Sequence, residues 1–338
     1  MLITLTGAFK NAGDYLIGHR ARTLLGNHLE HEIVDLNRKS LNADSYALLN
    51  SASAVLLTGG PAYQDSIYPG VYNLDLAKLE VPVIAYGLGW KGKLGQTPES
   101  FAFKPEAAGF VKQIHQTNLY SSARDHLTVK VLNQLSIDNV AMTGCPAWYD
   151  ESKLDVDYSY NPVKRLMFSM PAVPQESVLP LLKALAKRFP KAEKIIAFNA
   201  GYKSTRSKNN AEYTRWNYLT IAKAVLLGFK PVSFESDFDK FQTTMSSLDL
   251  HIGYRVHSHI FCLSQRITSM LIAEDSRGVG QLQAMGSPVL TSEQPVAELI
   301  AALDHLIDSK GVSVASAIET MRATHPKMLG FIEQLAKL

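Results

Sequence analysis

Two cysteines, Cys145 and Cys262, are all that this 338-residue chain contains. Two thiols exclude a disulfide framework, and their spacing matches no zinc-ligand pattern, so no metal is expected. Such usage suits a reducing cytoplasm. Long apolar runs are also lacking. No stretch approaches the ~20 residues that a membrane-spanning helix requires. The opening MLITLTGAFKNAGDYLIGHR has no basic region ahead of its apolar run, and Gly7, Lys10 and Asp14 interrupt that run early, so no secretory signal is expected. A surplus of one charge is missing as well. The formal net charge is +3 without any long basic run, which argues against a nucleic-acid partner but leaves small anionic ligands open. No short-period repeat appears, which excludes solenoids. These absences place the chain in the cytoplasm, with peripheral contact at the inner face of the membrane still compatible.

What remains is the composition of a soluble globular enzyme, 46% hydrophobic and 19% charged. A single core usually stops growing at about 250–300 residues, so two domains are expected. Short apolar runs alternate with helical patterns, the rhythm of βαβ units. Strands are predicted at 2–7, 31–36, 54–60, 82–89, 119–123 and 139–144, then at 165–170, 194–200, 230–236, 248–253 and 267–273. Between them DESKLDVDYSYNPV, from Asp150 to Val163, is polar and turn-rich and reads as a linker. The expected fold is α/β, two Rossmann-like domains facing across a cleft, with residues 1–155 on one side and 160–338 on the other. The helices after about Ser292 are expected to pack along the pair or back across it.

DLHIGYRVHSHIFC, Asp249 to Cys262, crowds an arginine and three histidines around a predicted strand end and helix start. The unpartnered amides of a helix N-terminus, here beginning near Val256, attract anions. Arg255 and His257 would flank them, and an arginine fork grips a carboxylate or phosphate with two bonds. His257 and His259 are two residues apart and so diverge on a helix. His257 is therefore the functional candidate, and His259 is expected to bond within the protein. The structural alternative pairs Arg255 with Asp249 or Asp275 and makes His257 an ordinary core histidine.

A second candidate is FKNAGDYLIGHRARTLL, Phe9 to Leu25, with Asn11, Gly13 and Asp14 at the turn into a helix. It lacks G-x-G-x-x-G, so a dinucleotide is not indicated. Asp14 is either a helix cap or a substrate contact. TGGPAY supplies Gly59 and Gly60, GLGWKG supplies Lys91, and SSARDHL supplies Arg124 and Asp125, with Asp125 also readable as a cap that Arg124 pairs. The stretch NAGYKSTRSKNNAEYTRWNY sets Lys203, Arg206, Lys208 and Arg215 among Tyr202, Tyr213 and Trp216, a mixture suited to a sugar or a phosphate and equally to a solvated loop.

Taken in order, NAGDYLI, TGGPAY, YGLGWKG, SSARDHLTVKVLNQLSIDNVAMTGCPAWY and GYRVHSHIFCLSQRITSMLIAEDSRGVGQLQAMG resemble the polysaccharide pyruvyl transferase family over most of residues 1–290. The resemblance implies the two-domain glycosyltransferase B fold. It also implies transfer of pyruvate from phosphoenolpyruvate to a sugar of a cell-surface or exopolysaccharide precursor, and donor binding by the Arg-x-His pair, here Arg255 and His257. Two positions depart from the family's pattern: GGPAY lacks the usual third glycine, and Arg277 stands where relatives commonly have lysine.

The chemistry agrees with the resemblance. A carboxylate and a phosphate call for a helix N-terminus with Arg255, and with Arg124 and Arg277 nearby. Ketal formation needs an acid for the methylene carbon and a base for the sugar hydroxyl, roles that fall to His257 and Asp14. Asn11, Gly13, Asp14, Gly59, Gly60 and Lys91 form the expected acceptor side, for a sugar or glycan that could be lipid- or nucleotide-linked. No cofactor is required beyond phosphoenolpyruvate as co-substrate. The competing readings are a nucleotide-sugar glycosyltransferase of the same two-domain form and a catalytically silent protein that senses an anionic sugar.

Overall fold

The computed structural model describes residues 1–7, 10–68, 70–117, 119–204 and 209–338. Among these, the N-terminal half builds a seven-stranded parallel sheet from β1 (Leu2–Thr6), β2 (Ile33–Asn37), β3 (Ala54–Thr58), β4 (Pro61–Tyr63), β5 (Val83–Trp90), β6 (Ser121–Ala123) and β7 (Val140–Met142). The order is β2-β1-β3-β5-β6-β7, with β4 paired to β5. Its helices are α1 (Ala12–His28), α2 (Ser45–Asn50), α3 (Pro105–Ile114) and α4 (His126–Asn133). Every residue of β1, β3 and β5 is buried, as parallel strands covered on both faces should be, and this is why they read as continuous apolar runs.

A separate five-stranded parallel sheet follows, built from β8 (Arg165–Ser169), β9 (Glu193–Phe198), β10 (Phe229–Ser233), β11 (Leu250–Gly253) and β12 (Thr268–Leu271) in the order β10-β9-β8-β11-β12. It carries α5 (Val178–Arg188), α6 (Asn210–Leu226), α7 (Phe238–Ser246), α8 (Val256–Ser264) and α9 (Ser276–Ala284), and then α10 (Val296–Asp308) and α11 (Val312–Leu335) complete the chain. The α/β architecture with two Rossmann-like sheets is the one the sequence predicts. Strand β4 is the exception: three residues beginning with proline give no alternation to read.

The segment between the sheets is clamped. Arg266 donates to the carbonyls of Lys153, Leu154 and Val156, and Arg322 of α11 donates to those of Leu154 and Val156. Helix α11 then reaches the N-terminal sheet. Phe331 stacks on Tyr86 with ring centroids 5.2 Å apart, and Gln334 bonds both backbone polar groups of Tyr120 at 2.7 Å.

Each sheet reverses its winding once, between β1 and β3 in the first and between β8 and β11 in the second. Ligands of open α/β sheets bind outside the strand ends at such reversals. The loop into α1 leaves one reversal and the loop into α8 leaves the other. Leu16, Ile17, Leu24 and Leu25 of α1 are buried in one continuous core with Trp148 and with Ile260 and Phe261 of α8. Each such side chain contributes about 1.5–3 kcal/mol by leaving water. Polar ties cross the same interface, from Arg20 to Asp150 at 2.6 Å, from Gln265 to Asp150 at 2.5 Å and from Trp148 to Gln281 at 2.7 Å. The two reversals therefore face each other at fixed spacing.

Candidate functional site

Helix α1 begins at the N-terminal reversal. Asn11 is its cap: its side-chain oxygen accepts the Gly13 N–H at 3.4 Å and its amide donates to Asp14 at 3.2 Å. The cap of α1 is thus Asn11 rather than Asp14, whose carboxyl accepts from the Asn11 amide and lines neither void of the cleft. Burial raises its pKa, opposed by the Asn11 hydrogen bond and by the charges of Arg38, Arg277 and Lys39. The Ala12 N–H donates across the interface to the Asn199 carbonyl at 3.1 Å, so this helix start is committed to protein partners rather than to an anion.

Helix α8 begins at the opposite reversal and differs in this respect. Arg255 is its N-cap residue, in extended conformation, and no side chain caps the first turn. The amides there remain available to a ligand. The Arg255 guanidinium donates to the Pro171 carbonyl at 3.1 Å, and its charge partly offsets the burial that raises the pKa of Glu274. Neither structural pairing considered for Arg255 occurs. Asp249 instead accepts the backbone amides of Lys164 and Arg165, and Asp275 holds Arg277 at 2.6 Å.

One cavity of about 50 Å³ gathers Arg124, Arg255, Val256, His257 and Arg277 with Asn11, Gly13, Asn199 and Glu274. Arg124 reaches it from the N-terminal sheet. It is buried, paired with Asp125 at 3.1 Å and bonded to the Trp90 carbonyl at 2.8 Å. Its path exists because position 89 is glycine, where a β-carbon would lie 1.9 Å from the guanidinium nitrogen. Asp125 is the cap of α4, as its structural reading had it, and accepts from Thr128. Arg277 keeps its charge through Asp275, Glu274 and Asp14, which outweigh the effect of burial. Three guanidiniums and a helix start without a side-chain cap surround one small void, with the Glu274 carboxyl among them, a charge pattern that can receive an anion.

His257 stands in this pocket with its pKa lowered to about 3, first by burial and then by Arg124 and Arg277. A histidine titrating near neutrality is the expectation from sequence, whereas here burial first, and the neighbouring guanidiniums after it, disfavour the protonated imidazole. Position 13 completes the contact across the cleft. A β-carbon on Gly13 would sit 2.7 Å from Nδ1 of His257.

A larger void of about 210 Å³ adjoins the first, sharing Asn11, Arg255 and Arg277, and runs over the C-terminal sheet to Lys203, Tyr213, Trp216 and Asn217. Arg206 and Lys208 lie outside the described residues. Gly59 and Gly60 do not line either void. Gly59 packs on Ile17 and Gly60 lies near Arg38. Lys91, directly after β5, lines neither of these two voids and lies near enough to Asp275 for its charge to lower that carboxylate's pKa.

Two cleft residues escaped the sequence reading: Asn199 directly follows β9, and Glu274 lies three residues beyond the end of β12. Arg38 directly follows β2, with its guanidinium 5.1 Å over the Tyr72 ring, and lines neither void, although its charge reaches Asp14. Their position at strand ends was the available signal. Among the described residues no group of three or more histidine, cysteine or acidic side chains is arranged to hold a metal ion, and no helix is long and apolar enough to cross a membrane.

Solved structures share this architecture over the whole chain. UDP-GlcNAc 2-epimerase from Neisseria meningitidis, bound to UDP-GlcNAc, superposes with a TM-score of 0.61 at 13% identity, covering 100% of both chains. S. aureus MnaA in its UDP co-structure gives 0.61 at 12% identity, covering 100% of this chain and 97% of that one. Anabaena Alr3699/HepE in complex with UDP and glucose gives 0.56 at 12%, covering 99% and 98%. At such identity the likeness establishes the fold, which is the glycosyltransferase B type. No curated protein matches. The family model for polysaccharide pyruvyl transferase matches residues 11–276, from the cap of α1 to the first residue of α9. That span holds both helix starts, Arg124, Arg255, His257 and Glu274, and the chain belongs to the polysaccharide pyruvyl transferase family.

Proposed function

We propose that this enzyme transfers pyruvate from phosphoenolpyruvate to a sugar of a cell-surface polysaccharide precursor as a cyclic ketal, releasing phosphate. The observation that carries this reading is the convergence of Arg124, Arg255 and Arg277 with the uncapped start of α8 and His257 in one cavity. A donor with both a carboxylate and a phosphate meets that charge pattern.

In this reading the bound donor changes His257. Its negative charge offsets Arg124 and Arg277, so the imidazole takes up a proton on binding and can deliver it to the methylene carbon. The C2 centre becomes electrophilic, and a sugar hydroxyl attacks it while Asp14 accepts the hydroxyl proton. Loss of phosphate and closure by a second hydroxyl give the ketal. The second hydroxyl's proton leaves with phosphate, and Asp14 releases the first hydroxyl's proton to solvent, which replaces the one His257 took up on donor binding and balances the sequence. The void toward Tyr213 and Trp216 offers aromatic faces to the remainder of the acceptor.

The second reading, nucleotide-sugar glycosyl transfer, is favoured by the UDP ligands of the fold relatives and by the polar void beside Arg255. Incubating the protein with phosphoenolpyruvate and candidate precursor sugars separates the two. Acceptor-dependent phosphate release supports pyruvyl transfer, whereas UDP release from a UDP-sugar with no phosphate from phosphoenolpyruvate supports the alternative.

A further inference from the structure

Behind the donor-facing turn lies a buried chain of side chains that the reaction does not use. The Arg255 N–H donates to Ser169 Oγ at 3.2 Å, and Ser169 Oγ lies 2.9 Å from His251 Nε2. His251 Nδ1 is 2.8 Å from Ser269 Oγ, and Ser269 Oγ is 2.7 Å from His259 Nδ1. All four side chains are at most 4% exposed. They tie β8, β11, β12 and the middle of α8 to the residue at which α8 begins.

We propose that Ser169, His251, Ser269 and His259 are positioning residues that set the donor-binding turn from behind through one directed chain of hydrogen bonds. The direction follows from counting hydrogens. Ser169 Oγ already accepts the Arg255 amide, and a serine hydroxyl has a single hydrogen to give. His251 Nε2 is the acceptor within reach, so His251 is protonated on Nδ1 and donates to Ser269. The Ser269 hydroxyl then donates to His259 Nδ1, which leaves the proton of His259 on Nε2. Running the chain in reverse would leave two groups unmet, the Ser169 hydroxyl hydrogen and the lone pair of His259 Nε2, against the single unmet Nε2–H of the order given, so the order given costs less. Nε2 of His259 has no partner among the described residues, and His259 lines a mostly apolar cavity of about 110 Å³ between α8 and α10, so the chain ends there. Burial keeps both imidazoles neutral, with His259 lowered to about 3 and His251 lowered as well. The chain takes the place of the missing side-chain cap: it fixes the backbone from which Arg255 and His257 project.

The effect on donor binding rests on the functional reading above, whereas the tautomers do not. In the full-length protein with 15N-labelled histidine, two-bond 1H–15N spectra near neutral pH should show His251 protonated on Nδ1 and His259 on Nε2. In Ser169→Ala the KM for phosphoenolpyruvate should rise about tenfold with kcat within about threefold, the scale of one lost hydrogen bond at a binding turn. Ser269→Ala should shift the His259 signals with a smaller change in KM, and Ser269→Thr, which keeps the hydroxyl, should restore the parent pattern. The opposite tautomers, an imidazolium at either position, or an unchanged KM in a folded Ser169→Ala would overturn the proposal. If the parent protein does not bind phosphoenolpyruvate, the functional reading fails while the tautomers still decide the chain.

Discussion

A β-carbon built on Gly13 would stand 2.7 Å from Nδ1 and 2.9 Å from Cβ of His257, so α1 of one domain and α8 of the other meet at a contact that only glycine allows. Gly13→Ala should leave α1 intact, since alanine is the better helix former, yet push His257 out of register. Displacements of this kind cost about 10- to 100-fold in turnover. Gly26→Ala, in the same helix with open space around it, is the control and should raise stability by about 0.5–1 kcal/mol without touching activity. Steady-state kinetics and thermal melts on both variants check the pair, and normal turnover in Gly13→Ala would show that the contact is dispensable.

Stability should fall as the medium turns acid. His115, His251, His257 and His259 all have pKa values lowered by burial, to about 4 for His115 and about 3 for His257 and His259. The unfolded chain binds protons at these sites near pH 6.5 and the folded chain does not. The sign is therefore a loss of stability as pH falls from about 6.5 toward 4 and no contribution above 7. Asp14 and Glu274, whose pKa values are raised, offset part of the loss. Denaturant titrations at pH 7.5 and 5.5 should differ by a few kcal/mol on the scale of ~1.4 kcal/mol per proton per pH unit, and equal midpoints would contradict the neutral assignments.

Arg255 and His257 should separate in kinetics. Arg255→Ala removes a charge that faces the donor and should chiefly weaken phosphoenolpyruvate binding. His257→Gln keeps the shape but loses the transferable proton, and turnover should drop by about 100-fold or more while donor binding stays nearly intact. If His257→Gln turns over almost normally, the acid is another group, and Glu274 in the same cavity is next in line.

The fold was legible because parallel strands buried on both faces appear as unbroken apolar runs, as in Ala54–Thr58 and Val83–Trp90. The runs overshot at their ends: glycine pairs such as Gly59 and Gly60 look like strand but turn with positive φ. Arg255 and His257 were legible from the junction of a strand with a helix start. Gly13 facing His257 was not, because 244 positions separate contacts that only the closed interface brings together. The lowered pKa of His257 was hidden for the same reason, since the burial that chiefly causes it, and the charges of Arg124 and Arg277 that add to it, arise only in the folded chain.

Calorimetric binding of phosphoenolpyruvate, run near pH 7 in two buffers of different ionisation enthalpy, tests the central claim most directly. The account requires binding with uptake of close to one proton, lost in His257→Gln, and a large loss of affinity in Arg255→Ala. Binding without proton uptake would remove His257 from its role, and no binding at millimolar phosphoenolpyruvate beside tight binding of a UDP-sugar would contradict the donor assignment itself.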